Sequence, residues 1–439
     1  MAPPLKVLVC GGGLAGPSLA LWLTRVGCEV TVIERTGELR ASGQQIDIRG
    51  QAVEVMRRMG IEAAIRANLV DEPGLQFVNE AGRRIAYFGA NKSGKGRQSM
   101  TSEFEIMRGD FCHILHDATK ATTKWVFGVH VVDFEQLSGD QGVRVQLSDG
   151  TSDTYDLLVG ADGQGSKMRK LMLSKSGLED NPKIVHVNLA WYSIPAQDGD
   201  TNIATAMLSP NRRFTITRKD SPETLRVYYM TSSTSMADDH PMQQAIRNGT
   251  IEEQKKAWAD HFRSAGYRAA RFNEGMDTPE ADDFYSCEAL QVKLDTYSHG
   301  RVVLVGDAGM CASPLSGMGT AIGLVTAYCL AGEIAKHCQL RADGQPGEAG
   351  APDPREGLAA ALKAYDESLR PFINKVQELP PGAPDYWMPK SSWYISVWHW
   401  FLWFVATFGL DKLLSKLASD DVAGWTLPDY PELGRVEVS

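Results

Sequence analysis

Residues 5–34, LKVLVCGGGLAGPSLALWLTRVGCEVTVIE, decide the reading of the fold. Residues 5–9 are a short apolar run of the kind that makes a buried strand, and Cys10-Gly11-Gly12-Gly13 breaks it. Residues 14–26 then carry apolar side chains at helical spacing, and 29–34 read as a second strand. Within this β-α-β unit the glycines stand as Gly11-x-Gly13-x-x-Gly16. Gly11 permits a tight turn, Gly13 lets backbone amides approach a pyrophosphate, and Gly16 lets the helix pack on the strand. Leu14 and Ala15 open that helix, whose N-terminus brings partial positive charge to bound phosphates. Glu34 closes the second strand, with Arg35 beside it, where an acid accepts the hydroxyls of an adenosine ribose. The unit therefore predicts a nucleotide site. It does not separate NAD from FAD.

Outward from that unit, 439 residues suffice for two packed domains. With 43% hydrophobic and 23% charged residues the chain is an ordinary globular one. A net charge of -9 argues against a nucleic-acid surface, which needs clustered Lys and Arg. The seven cysteines are scattered, with no CxxC and no Cys/His metal spacing, which points to a reducing compartment and no metal site. The N-terminus has no secretory pattern, so a cytoplasmic protein is expected.

Further along, residues 70–102 read as polar and irregular, and a helix is expected over 108–118. Residues 125–134 and 143–147 read as antiparallel strands turning through SGDQG, and 156–159 as a buried strand. From 174 to 288 the pattern becomes strand-rich (184–193, 213–218, 225–230), with a helix near 251–265 and no phosphate-type glycine loop. A buried strand returns at 301–305, followed by long helices over 319–337 and 358–378. Residues 341–357 are rich in Gly, Pro, Ala and Asp, and read as a loop.

Two later segments separate the cofactors. LLVGADGQGSKMRK (157–170) carries Asp162 and Gly163 after a buried strand. GRVVLVGDAGMCASPLSGMGTA (300–321) carries Asp307, Pro314, Gly317, Gly319, Thr320 and Ala321. With the glycine loop, these make the chain resemble the class A flavoprotein monooxygenases, the p-hydroxybenzoate hydroxylase-like family, from its N-terminus to about residue 370. The resemblance implies FAD, with Asp307 accepting from the ribitol chain and the amides of 317–321 facing the pyrimidine edge of the isoalloxazine. A helix N-terminus there favours the anionic reduced flavin. Where the family usually has a second Ala and a His after the Gly-Asp pair, this chain has Gly309 and Met310.

LRASGQQIDIRG (39–50) is similar to the matching segment of the tetracycline-inactivating monooxygenases and related fungal tailoring hydroxylases. That similarity assigns an NADPH (or NADH) contact to Arg40 and an FAD contact to Asp47; in EIMRGDFCHIL (105–115) Arg108 occupies the position from which the family reaches the FAD, and Arg212 falls near a substrate-contacting arginine of the tetracycline branch. The expected fold is α/β: a Rossmann-like, GR2-type FAD-binding domain (1–75, 103–173, 289–378), an inserted β-sheet substrate domain (76–102, 174–288) and a C-terminal aromatic helical tail (379–439). Trp191, Tyr192, Phe214, Tyr228 and Tyr229 offer surface for a flat ligand, with most expected in the core.

Residues 391–410, SSWYISVWHWFLWFVATFGL, are nearly long enough for a membrane span, but their four tryptophans are not confined to the two ends. Docking onto the body is expected, since the tetracycline branch has a C-terminal helix bridging its domains; peripheral membrane contact is the alternative.

The implied activity is hydroxylation or epoxidation of an aromatic or polycyclic small molecule with NAD(P)H and O2 through a flavin C4a-hydroperoxide, in secondary metabolism. No catalytic acid or base is assigned. A flavin dehydrogenase or cyclase, a Baeyer-Villiger oxygenase and a non-catalytic flavin-bound, membrane-associated protein remain open on the same fold. A halogenase is disfavoured because its WxWxIP segment meets Ala190-Trp191-Tyr192-Ser193-Ile194-Pro195 here.

Overall fold

The computed structural model describes residues 3–40, 43–90, 103–138, 141–219, 221–342, 353–379, 382–410, 422 and 424–434. Its first sheet has six strands, in the order Ser298–His299, Val302–Leu304, Leu157–Gly160, Lys6–Cys10, Glu29–Glu34, Lys124–Phe127. All neighbours are parallel except the edge strand Ser298–His299. Strand alternation divides the core. Val7, Val9, Val30, Val32, Leu157 and Val159 face a layer built from the helices Ala15–Arg25, Gly319–His337 and Leu358–Val376. Leu8, Leu158, Val302 and Leu304 face the helix Lys167–Lys175 and a small antiparallel sheet of Val131–Gln136, Val143–Leu147 and Ser152–Tyr155. Both faces are thus covered, as a parallel sheet requires.

The second sheet has seven strands, in the order Tyr285–Gln291, Lys183–Pro195, Thr224–Ser232, Arg213–Lys219, Ala204–Ser209, Gly74–Val78, Arg84–Gly89. Its outer face packs on the helices Pro241–Asn248, Ile251–Phe262 and Ala269–Gly275. Tyr192 and Tyr229 belong to that core, with Tyr229 stacked on Phe262 at 3.8 Å between centroids. Trp191, Phe214 and Tyr228 alternate to the other face, so the strand period sorts the five aromatics into core and chamber.

Three readings of the sequence are corrected here. Residues 125–134 are two strands in different sheets, because Gly128 at φ +78° turns the chain between them. The stretch 70–90 is not irregular: it supplies Gly74–Val78 and Arg84–Gly89 to the second sheet, disguised by polar side chains on the exposed faces of its strands. The strand Ala204–Ser209, buried throughout, went unread between turn signals. Strands Gly74–Val78 and Tyr285–Gln291 also cross the expected limits at 75 and 288. Much of the loop at 341–357, and part of the turn SGDQG, lie outside the described residues.

The tail forms the helix Ser392–Phe408, which docks on the second sheet through Trp398, Leu402, Val405 and Ala406. Trp393, Trp400, Phe401, Trp403 and Phe408 are exposed. Among the described residues no helix is long and apolar enough to cross a membrane. Residues 424–434 return to the first sheet's helices: Trp425 packs on Phe372 and donates to the Ser368 carbonyl at 2.9 Å, and the Tyr430 hydroxyl reaches Glu333 at 2.7 Å. The tail thereby spans both sheets.

Candidate functional site

The glycine loop is built as its chemistry demands. Gly11 sits at φ +124°, and a Cβ there would lie 2.4 Å from the Ala161 carbonyl oxygen. A Cβ on Gly16 would lie 2.0 Å from the carbonyl oxygen of Gly11, so helix and loop touch backbone to backbone. Gly12 N donates to Glu34 Oε2 at 2.8 Å, while Glu34 Oε1 accepts from the backbone and hydroxyl of Thr36, both at 3.1 Å. These bonds aim the carboxylate at the loop. Trp125 flanks it, 3.1 Å from where a Gly12 Cβ would be, a neighbour that nothing in the sequence motif announces. Gly13 is open except toward Arg108, whose Nη2 lies 3.5 Å from a Cβ there. Arg35 is exposed beside Glu34.

The distant motifs meet this loop. Arg108 opens the helix Arg108–Thr119 and donates from Nη1 to the Arg40 carbonyl at 3.2 Å. Gly306, at φ +59°, approaches Ala15 so closely that a Cβ would sit 2.9 Å from the Ala15 Cβ. Asp307 follows it; burial pushes its carboxyl up to about 6, opposed by the Cys311 thiol and the Arg108 charge. Pro314 begins a single 3-10 turn, Gly317 at φ +64° ends it, and Gly319, Thr320 and Ala321 form the first turn of the long helix. Gly323 of that helix faces Ala15, so the two helices start side by side. Neither start is capped by a side chain, leaving backbone donors for an anion. Two uncapped helix N-termini, a cation and an acid on the loop fit the pyrophosphate and ribose of a flavin dinucleotide.

The Asp162 carboxylate accepts from the Ser166 hydroxyl and from the backbone of Lys167 and Met168, at the start of the helix Lys167–Lys175. Gly163, at φ +81°, makes the turn into that helix start. Asp162→Ala should cost about 1–2 kcal/mol in thermal or denaturant unfolding and leave FAD affinity unchanged. A selective loss of FAD affinity would support the cofactor role.

Around the loop, Arg40 is exposed, its guanidinium 6.0 Å from the Tyr285 ring centroid, and Tyr285 stacks on Trp191 at 4.4 Å. Trp191 and Met230 on the second sheet and Leu315 of the 306–321 loop pack against one apolar cluster. The Tyr228 hydroxyl is 3.5 Å from the backbone nitrogen of Gln45, and Phe214 and Ile216 meet the tail helix. The sheet's inner face, the 306–321 loop and the tail helix border one region, the chamber.

Beside it lies a buried charge cluster that the sequence reading missed. Asp47 pairs with Arg49 at 2.8 Å and stands opposite Glu105 in the ladder between Gln45–Asp47 and Glu105–Met107. Arg218, from the second sheet, reaches Glu105 at 3.0 Å and Glu72 at 3.6 Å. Burial pushes Glu105 up to about 8; Arg218 opposes this, and Asp47 and Glu72 add to it. Burial also raises Glu72, again against Arg218. The cluster ties the second sheet to the strand that carries Asp47.

This arrangement is that of a flavin-dependent monooxygenase. Residues 4–346 match the model of the FAD binding domain family, and the chain belongs to it. The FAD-dependent monooxygenase asL4 of Sarocladium schorii is 41% identical over 98% of this chain and 99% of its own. The flavin-dependent monooxygenase eupH of a Phoma species is 37% identical over the same shares. The crystal structure of the tetracycline destructase Tet(51) superposes with a TM-score of 0.74 at 26% identity, covering 97% of this chain and all of that one. The protein is thus an FAD-dependent enzyme of the class A flavoprotein monooxygenases.

Proposed function

We propose that the enzyme uses NAD(P)H and O2 to hydroxylate or epoxidise an aromatic or polycyclic small molecule in secondary metabolism. The observation that carries this reading is the inner face of the second sheet: Trp191 and Met230 share an apolar cluster with Leu315 of the 306–321 loop, Tyr228 lies beside Gln45, and Phe214 and Ile216 meet the tail helix. FAD, once reduced by the nicotinamide, supplies the chemistry that transfers one oxygen atom of O2 to an electron-rich ring. The chain's own tasks are to bind, orient and exclude water. Aromatic and thioether side chains hold a flat ring without charge, and the tail helix keeps solvent from the reacting centre. The amides of 319–321, at an uncapped helix start, would stabilise negative charge on the bound cofactor. Arg40, exposed over Tyr285, suits a phosphate of the pyridine nucleotide. The cofactor contacts of Glu34, Asp47, Arg108 and Asp307, and the division into FAD-binding and substrate parts, belong to this same proposal.

The test is the visible spectrum of the purified protein, recorded anaerobically before and after NADPH. An oxidised-flavin spectrum that bleaches supports the reading, and oxygen uptake matched to oxygenated product completes it. Bleaching without product-linked oxygen uptake favours a dehydrogenase or cyclase. A colourless protein that takes up no FAD overturns the assignment.

A further inference from the structure

A cleft of about 670 Å³ opens at the end of the second sheet remote from Arg40, between Lys183–His186, Arg212, Thr234, Leu379 and residues from 382–394. Its charge is unlike that of the protein as a whole. Lys183, His186, Arg212 and Lys390 line it against one acid, Asp385, in a chain of net charge -9. Asp385 is already engaged, by the Arg212 guanidinium and by the hydroxyls of Thr234 at 2.8 Å and Ser232 at 3.4 Å. Lys183 and Lys390 have no ion-pair partner among the described residues. Arg212 is only 8% exposed, and its Nε is buried without a hydrogen-bond partner. The wall is also fixed: Asn211 and Arg212 both occupy the left-handed region, at φ 63° and 60°, and their amides donate to the carbonyls of Lys390 and Pro389 at 2.9 and 3.2 Å. Such a conformation is costly for side-chain-bearing residues and persists where the surroundings enforce it.

The remaining lining is ring and hydrocarbon. Tyr386 and Tyr394 stand at the cleft, and Val185 and Leu379 lie on its floor. Val185 and Leu379 also belong to the apolar cluster that contains Trp191, Met230 and Leu315.

We propose that this cleft is a vestibule binding a flat, ring-bearing small molecule through an acidic group, a carboxylate or ionised phenol, held by Lys183 and Lys390 with Arg212 behind them. It rests on the oxygenase reading for the ring, and it adds the acid to the substrate class. Cations at a solvent-facing rim attract over roughly a Debye length, about 8 Å at physiological salt, so the contact is salt-sensitive. The rings of Tyr386 and Tyr394 add contact area that does not depend on charge.

The test uses the FAD-loaded protein and calorimetric titration with 1-naphthoate and anthracene-2-carboxylate, beside their methyl esters. Both acids should bind the native protein. They should bind about tenfold more weakly to the Lys183→Met/Lys390→Met variant, and more weakly in about 0.5 M salt. The esters should bind weakly and respond to neither change. Both lysines are exposed, so the variant keeps its fold, which its flavin spectrum checks. Acids that fail to bind, that bind the variant as well as the native protein, or that are matched by their esters overturn the vestibule. Bleaching by NADPH is followed in the same samples: bleaching without acid binding sinks the vestibule alone, whereas native protein that never bleaches sinks the oxygenase reading.

Discussion

Gly16→Ala should yield a protein that has lost FAD. The added Cβ would meet the Gly11 carbonyl oxygen at 2.0 Å, the Gly11 carbonyl carbon at 3.2 Å and Val9 Cγ1 at 3.2 Å. Two of these three are backbone, so no side chain can swing aside. The helix Ala15–Arg25 has to lift from the strand Lys6–Cys10, and the amides at its start move with it. The approach of Ala15 to Gly306 and Gly323 opens as well, which separates the two helix starts. Overpacking of this kind costs about 1–3 kcal/mol even where neighbours yield. Expressed in binding alone, that is roughly a 5- to 150-fold loss of FAD affinity, read by flavin fluorescence on reconstitution. Gly165→Ala is the matched control, because a Cβ there meets nothing within 4 Å. If Gly16→Ala binds FAD like the native protein, the loop does not cradle the pyrophosphate.

Arg218→Met should be the most destabilising change in the chamber wall. It leaves Glu72 and Glu105, 4% and 3% exposed, without the cation that both face. Near neutral pH Glu105 keeps its proton, so the loss is chiefly that of a buried hydrogen-bond partner, about 1–3 kcal/mol, visible as a shift of the unfolding midpoint in urea. Glu105 also gives the native protein a pH signature. Its carboxyl is raised from the ordinary 4.5 to about 8, so between those values the folded chain keeps a proton that the unfolded chain has released. Stability from this group is therefore full below pH 4.5, falls as pH rises, and is lost through about pH 8. Glu105→Gln, which mimics the protonated acid, should flatten that slope and unfold later than the native protein at the alkaline end. A Glu105→Gln variant with the native pH slope would show that Glu105 is ionised throughout.

The legible parts of this molecule are those whose chemistry is written in contiguous residues. A pyrophosphate needs a strand, three glycines and a helix start in one run, and 5–34 contain them all. The 306–321 loop was readable for the same reason, and Arg108 and Asp307 through the family resemblance. The hydrogen bonds of Asp162 to the start of the helix Lys167–Lys175 were not read, because an acid followed by a glycine turn serves a helix start as readily as a cofactor. Glu72, Glu105 and Arg218 come from three separate segments, and no spacing announces that they meet. Trp125 was read only as strand, since its place beside Gly12 depends on pairing between Thr31–Glu34 and Lys124–Phe127, which hydrophobic pattern does not specify.

The interleaving of the two sheets sets a timetable for synthesis. Leu157–Gly160 waits for Val302–Leu304, and Gly74–Val78 pairs with Ala204–Ser209 from beyond an intervening part of the first sheet. At roughly 5–20 residues per second, a ribosome takes on the order of 15–60 s to reach the last of these strands. The helix that starts beside the glycine loop emerges after that, and the chamber's wall helix is among the last elements made. During this interval the side of the sheet bearing Trp191, Phe214 and Tyr228 has nothing to cover it, and the nascent chain is a ready client for chaperones that hold apolar surface. Flavin capture is then an event of a chain that has been made at least as far as the 306–321 loop and the helix after it.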